Sequence, residues 1–545
     1  MKLYNNKLIW VLASLPIAAA FSGCKKFLDV NNDPNNLISS KAQYIMTGAL
    51  STSARNQVTS SIHVVVGSWS GFYGHSTSYT GGGNEKTYIV TNTDFDWWTG
   101  VYDNIYDFKK VIDNADADGV GFWKDPAMVM ECYNYARLVD TYGDIPFTDA
   151  VQDVTNLQPK YTNAKDVYDS LIMRLDQAMA NMQAATWPAQ GTLEAKQDIY
   201  FGLNKTDWIH FANTIKLRLL LHQDFMGTRD SYITSSIQAT ASLGYLDKNV
   251  LCQPGYAVSS GKLNPYYATY GYNEANTVTG NHQYRKMNKV IIDWFKNTND
   301  DYRLRGLAWP NGAQSTSPLP TWPATGTYSY TGVPMGAGSG AATGNSSAMG
   351  PFYIQKGVTA VATGPLVVFT LAESKLLQAE AAQKYPSLVA TLGDPQTLYE
   401  SGVQAHFRLV RNMCYAAGTT NIANNAANAE ADAAFAAYIA QPIDNVNWAA
   451  STDKLRAILV QKWVAFTHIN GLEAWTDYRK SSVTKVSGHT WYSIPSNPRS
   501  QTAASSTDEP LRMVYPQIEF ITNGNNVPKG IDQVQSTPIF WDVNN

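Results

Sequence analysis

Pro126–Ala150, PAMVMECYNYARLVDTYGDIPFTDA, decides how the rest of this chain is read. Met128, Cys132, Tyr135, Val139 and Tyr142 recur at steps of four, three, four and three, which places them on one stripe of a helix buried against neighbours. Gly143 supplies a C-terminal stop, and Pro146 forbids the helix to resume. The loop that follows still carries Ile145 and Phe147, so it is expected to be pinned by apolar anchors.

The same period recurs on both sides. Tyr168, Leu171, Leu175, Met179 and Met182 form one stripe, opened by Asn163 as a cap with Asp166 three residues on. Trp208, Phe211, Ile215, Leu219 and His222 form another, and Tyr399, Val403, His406, Val410 and Cys414 a third, with Asp394-Pro395 as cap and first-turn proline. Leu371, Leu376, Ala379 and Ala382 lie in an alanine-rich run that permits close helix approach. Helices are predicted at about 41–57, 96–113, 126–142, 165–183, 205–224, 366–384, 396–416 and 451–469. The fold class is all-α, with tetratricopeptide-like helix pairs whose repeats are irregular, because the formal 34-residue consensus is absent.

Residues 1–23 read as a processing segment: Lys2 and Lys7 precede an apolar run from Leu8 to Phe21, too short for a permanent span. Ser22-Gly23-Cys24 then resembles a bacterial lipobox, so Cys24 is the expected lipidated N-terminus of a mature chain 24–545. Phe21 departs from the usual aliphatic residue at its position. The net charge is −3, or −5 without Lys2 and Lys7, which excludes a nucleic-acid footprint. Cys132, Cys252 and Cys414 are an odd number with no close spacing, which speaks for buried thiols rather than disulfides or zinc.

Several segments together resemble one family. Leu138-Val139-Asp140-Thr141-Tyr142-Gly143-Asp144-Ile145-Pro146-Phe147 is similar to the helix-and-loop signature of the SusD/RagB-like nutrient-binding outer-membrane lipoproteins of Bacteroidetes-type bacteria. Phe27-Leu28-Asp29 after the lipobox, Asp207 to Arg218, Gly471 to Lys480, Arg512 to Pro516 with Glu519 and Asn523, and Phe540-Trp541-Asp542 match in the same order. Lys480 stands where relatives carry a second arginine, and Asp301-Tyr302-Arg303 where they show Asp-Pro-Arg. The resemblance implies a lipid-anchored protein of the cell outer membrane, facing the exterior. It would bind an oligosaccharide or peptide and deliver it to a SusC-like TonB-dependent transporter, without a cofactor.

Between about 247 and 365 the helical signal mostly fails apart from Arg285 to Asn297, and Gly, Pro, Ser, Thr and aromatics dominate. In relatives an insertion here forms part of the ligand face. A second segment, from Trp69 to Asn84, reads as a surface loop bearing aromatics. Aromatics outside the helix stripes are therefore the candidate ligand platform: Trp69, Tyr73, Tyr79 and Trp97 early, and Tyr270, Trp309, Trp322 and Tyr330 in the insertion. No zinc-protease, nucleophile-elbow, phosphate-loop or dinucleotide motif occurs, and no metal site is marked, although loop oxygens could hold calcium. His210, His222, His406 and His468 read as core-edge or solvent residues. Binding without catalysis is the expectation. An adhesive or structural lipoprotein, or a surface hydrolase on the same scaffold, is the alternative.

Overall fold

The computed structural model describes residues 40–78, 83–95, 97–312, 328–337, 343–482, 491–504, 509–530 and 533–543. The expected signal segment 1–23 and Cys24 lie outside them. The chain divides into Met1–Lys41 and a compact unit Ala42–Asn545, and the second is described below.

The eight helices that the apolar periods predict are present, and two that were not predicted, Ser61–Trp69 and Gly471–Ser481, join them. They are α1 (Ala42–Thr59), α2 (Ser61–Trp69), α3 (Trp98–Asn114), α4 (Lys124–Tyr142), α5 (Ala164–Ala184), α6 (Lys205–Leu221), α7 (Leu371–Lys384), α8 (Pro395–Cys414), α9 (Lys454–Ala465) and α10 (Gly471–Ser481), with shorter helices between. Each packs on the next of a series: α1 on α3, α3 on α4, α4 on α5, α5 on α6, α6 on α7, and α7 on both α8 and α9. The result is an irregular stack of tetratricopeptide-like pairs around one apolar core. Asn163 caps α5 by accepting from the Lys165 amide, and Asp394 caps α8 from the Thr397 amide, with Pro395 in the first turn.

The alanine-rich run does allow close approach. Ala372, Ala379 and Ala382 are buried on α7, and opposite them a Cβ on Gly402 of α8 would fall 2.7 Å from Leu376 Cγ. A second tight crossing joins α2 and α10, where a Cβ on Gly471 would fall 2.5 Å from the His63 carbonyl oxygen.

Three sequence expectations need correction. The predicted helix from 366 begins only at Leu371, because the apolar Leu366–Phe369 is a strand paired antiparallel with Val250–Cys252. A fully buried strand and a buried helix carry the same unbroken apolar run, so period could not separate them. Trp69 to His75 is not a surface loop: Trp69 ends α2 and Tyr73–His75 is a buried strand. The insertion is also more ordered than its composition suggested, with helices at Pro265–Tyr270, Gly280–Tyr284, Lys289–Asn297 and Asp301–Leu307. It contributes three strands to a four-stranded sheet in the order Tyr73–His75, Arg285–Met287, Ala348–Met349, Ala308–Trp309. Thus the two aromatic, glycine-rich segments do meet, but through a sheet.

Candidate functional site

Several of the segments that carry the family resemblance converge on α4; Phe27-Leu28-Asp29 lies outside the described residues. Gly143 ends that helix at φ +80, and Arg512 donates from Nη2 to the Tyr142 carbonyl just before it. The Met513 amide donates to the Thr141 carbonyl at 2.8 Å, and the Tyr515 hydroxyl to the Asp144 carbonyl. Ile145–Pro146 pairs with Tyr161–Thr162, while the Asp144 carboxylate accepts from the Ala164 amide at the start of α5. The apolar loop anchors are therefore joined by hydrogen bonds that the sequence did not announce.

Behind this loop lies a buried ionic network. The His222 ring stands between two carboxylates, with Nε2 2.9 Å from Glu473 Oε2 and Nδ1 3.5 Å from Asp140 Oδ2. Burial alone would lower its pKa, but the Asp140 and Glu473 charges outweigh that and hold it at about 9. Arg218 binds Glu373 and lies 3.4 Å from Glu473, while Lys480 reaches Glu380 at 2.5 Å and the Leu221 carbonyl at 2.7 Å. Lys480 thus serves as a point-charge partner to several acceptors, a role that does not require the planar arginine fork. Asp140, His222 and Glu473 are close enough to share a metal ion. Both imidazole nitrogens are already engaged, however, Nε2 by Glu473 and Nδ1 by the Tyr168 hydroxyl at 2.8 Å. At the other departure from the family pattern, Asp300 caps Asp301–Leu307 and pairs with Arg303 at 2.6 Å, both buried.

Six of the eight candidate platform residues lie among the described residues, and all six are interior. Trp69 donates from Nε1 to the Glu85 carbonyl and packs 5.6 Å from Trp475. Tyr73 is wholly buried, its hydroxyl 3.2 Å from His468 Nδ1. Trp97 precedes α3 and lies under the Arg137 guanidinium at 4.7 Å. Tyr270 packs on Tyr266, Trp309 donates to the Ile354 carbonyl, and Tyr330 accepts from Lys296 through its carbonyl. The expectation of exposed rings is corrected for these six: Trp69 and Tyr270 end buried helices, and the others pack in strands and loops of the interior. Tyr79 and Trp322 lie outside the described residues.

An open apolar cleft of about 250 Å³ occurs instead beside the motif loop. Its floor is Trp98 and Tyr102, one turn apart on α3 with ring centroids 4.9 Å apart, and Pro146 of the loop. Tyr142 and Tyr515 support Trp98 from behind at 5.0 and 5.7 Å. The opposite wall is α11 (Gln517–Thr522), a short helix without a buried residue. It is held by Tyr161, whose hydroxyl donates to Glu519 Oε2 at 2.7 Å, and by Asn523, which donates to the Pro159 carbonyl. Asp103 and Glu519 bring carboxylates to the cleft. Ile518 of the cleft wall is exposed, as are Phe520 and Ile521 (71 % exposed) on the same helix and Val154 and Leu157 in the segment between the lining residues Val151 and Pro159. Trp98 and Tyr102 fall in the helix predicted at 96–113 and were not among the candidate platform residues; the overlooked signal was Gln517–Thr522, where apolar residues occur without a face to bury them.

This cleft and fold can be set beside known proteins. The family described as "SusD-like_2: Starch-binding associating with outer membrane" matches residues 34–516. Among curated proteins nothing matches. Among solved structures, a chitin-binding SusD homologue from Flavobacterium johnsoniae is 19 % identical, with a TM-score of 0.66, covering 92 % of this chain and 99 % of its own. A SusD/RagB family protein from Bacteroides thetaiotaomicron is 18 % identical with a TM-score of 0.68, over 93 % of this chain and all of the other. A SusD homologue from Bacteroides fragilis, 17 % identical with a TM-score of 0.67 over 92 % of this chain, has the same fold. Since the family match spans most of the chain and the same motif segments hold its core together, this protein belongs to the SusD-like family.

Proposed function

We propose that this chain is a lipid-anchored, outward-facing outer-membrane protein that binds an oligosaccharide in the cleft over Trp98 and Tyr102 and passes it to a TonB-dependent transporter. The observation that carries the reading is the conjunction of an aromatic-floored cleft with exposed Ile518 at its wall and exposed Phe520 and Ile521 beside it on the same helix. Sugar rings present apolar C–H faces that such surfaces cover, while Asp103 and Glu519 supply acceptors for hydroxyl groups. The cleft is smaller than the ~300 Å³ at the lower end of small-molecule sites, so it suits the end of a chain rather than a long stretch. The family description and the chitin-binding relative favour a glycan over a peptide. Tyr79 and Trp322 are proposed as further ligand contacts. Cys24 is proposed as the acylated anchor, and the exposed Val154 and Leu157 as part of the surface that faces the transporter.

The test is an array of chitin-derived and starch-derived oligosaccharides together with mixed peptides, followed by titration calorimetry and by analysis of the recovered ligand. Binding of a glycan that is recovered intact supports the reading. Binding only of peptides, cleavage of the bound glycan, or no binding by folded protein would overturn it. Crosslinking in cells that captures no outer-membrane transporter would overturn the delivery step.

A further inference from the structure

On α6, Asp207 and His210 stand three residues apart in the first turns and so share one face. Asp247, from the connection that leads into the strand Val250–Cys252, brings a third group: one ligand atom of each residue lies within 4.8 Å of the other two. His210 Nδ1 is shut off from solvent and has no hydrogen-bond partner among the described residues. The ring's other nitrogen faces Gly244, where a Cβ would fall 2.6 Å from Nε2 and where φ is +85. Only glycine leaves the imidazole its place. The connection is tied to α6 at that contact and just beyond it, by Asn213 donating to the Gly244 carbonyl at 2.8 Å and by the Leu246 amide donating to Thr214 Oγ1 at 2.9 Å. Asp247 is therefore presented from a held backbone, although its side chain is exposed.

We propose that Asp207, His210 and Asp247 bind a single divalent cation of the zinc type. Two carboxylates and one imidazole form a three-ligand set that zinc accepts, with water in the fourth position; calcium, which takes oxygen ligands, is not matched by the imidazole. Zinc bonds of ~2.0–2.2 Å require the ligand atoms to draw closer together than they stand, and the exposed Asp247 side chain is free to supply that movement. Lys248 engages Asp207 through Oδ2 at 2.8 Å, which leaves Oδ1 for the ion. Lys248 and Lys375, which is attracted to Asp247, oppose the cation's charge. Direct coordination at bonding distance outweighs both. The buried trio of Asp140, His222 and Glu473 offers no such site, because each nitrogen of its imidazole already faces an acceptor. A bound ion would fasten the start of α6 to the segment entering the sheet pair, a junction far in sequence from the cleft residues.

The experiment uses untagged full-length mature protein, stripped with chelator and titrated with zinc chloride by calorimetry, with bound metal counted by mass spectrometry. Wild type is expected to take up one equivalent at micromolar or tighter Kd and to gain thermal stability with it. His210→Ala and Asp247→Asn should each weaken binding at least tenfold and lose that gain, while oligosaccharide binding is unchanged. Both side chains reach the surface, so the variants should fold, which circular dichroism checks. Equal zinc affinity in wild type and both variants, loss in only one of them, or no zinc uptake by wild type would each overturn the three-ligand site.

Discussion

Lys286 lies at the centre of the sheet that joins the two aromatic segments, paired across to Gly74 on one side and Ala348 on the other. Its side chain is buried, and Nζ has no hydrogen-bond partner among the described residues. Burial alone pushes its pKa down to about 7 from 10.5. In the unfolded chain the amine stays protonated up to 10.5, so the unfolded state binds more protons between pH 7 and 10.5 and stability rises with pH across that window. At ~1.4 kcal/mol per unit, the penalty relative to high pH is about 4 kcal/mol at pH 7.5 and about 2 kcal/mol at pH 9, as an upper bound because any water reaching Nζ reduces it. Lys286→Met keeps the length of the side chain and removes the charge. Urea unfolding followed by tryptophan fluorescence should therefore show the variant more stable than wild type at pH 7.5, by up to about 4 kcal/mol, with the gain shrinking by roughly half at pH 9. A difference that does not change with pH, or a destabilised variant, would refute the reasoning.

His222 should behave in the opposite sense. Its folded pKa of about 9 lies above the ordinary 6.5, so its contribution of about 3 kcal/mol is fully present below pH 6.5 and is lost as pH rises through 9; wild type and His222→Gln should converge in unfolding free energy over that range. Gly471→Ala would drive a Cβ to 2.5 Å from the His63 carbonyl oxygen, a backbone atom that cannot swing aside, and should cost about 1–3 kcal/mol, read as a lowered unfolding midpoint. Cys24→Ala should release the protein from the membrane fraction and abolish acyl mass, since the proposed anchoring rests on acyl chains at that residue; a variant that sediments with membranes as wild type does would contradict this.

The helical stack was legible because the stripes on α5 and α8 bury one apolar face, which a period of 3.6 reports directly, whereas α4 and α6 are buried nearly all round and their stripes mark only part of what is covered. The strand Leu366–Phe369 was not, because an apolar run of four buried residues carries no period. The resemblance pointed to the right family, yet the residues that carry it, such as Asp140, Arg218, Glu473 and Arg512, turn out to be the buried polar joints of the fold. They report architecture rather than ligand. The site was read less well because the aromatics were chosen for being out of phase with helices, as Trp97 and Tyr73 are. In a chain this large a ring outside a helix stripe has sheet and loop interiors to enter, and both do. The cleft depends on Trp98 and Pro146 meeting Ile518 and Glu519, about 370 to 420 residues later in the chain, a juxtaposition that only the folded backbone supplies.

The central claim is that the cleft beside α11 captures glycan, and titration calorimetry of Ile518→Ala and Phe520→Ala with the best oligosaccharide from the array tests it most directly. Both side chains are exposed, so melting temperatures should stay at the wild-type value. The account predicts that affinity falls about 5-fold to 150-fold in at least one variant, the range of ~1–3 kcal/mol that a contact residue at a binding surface supplies. Wild-type affinity in both variants at unchanged melting temperature would place glycan capture elsewhere and contradict the account.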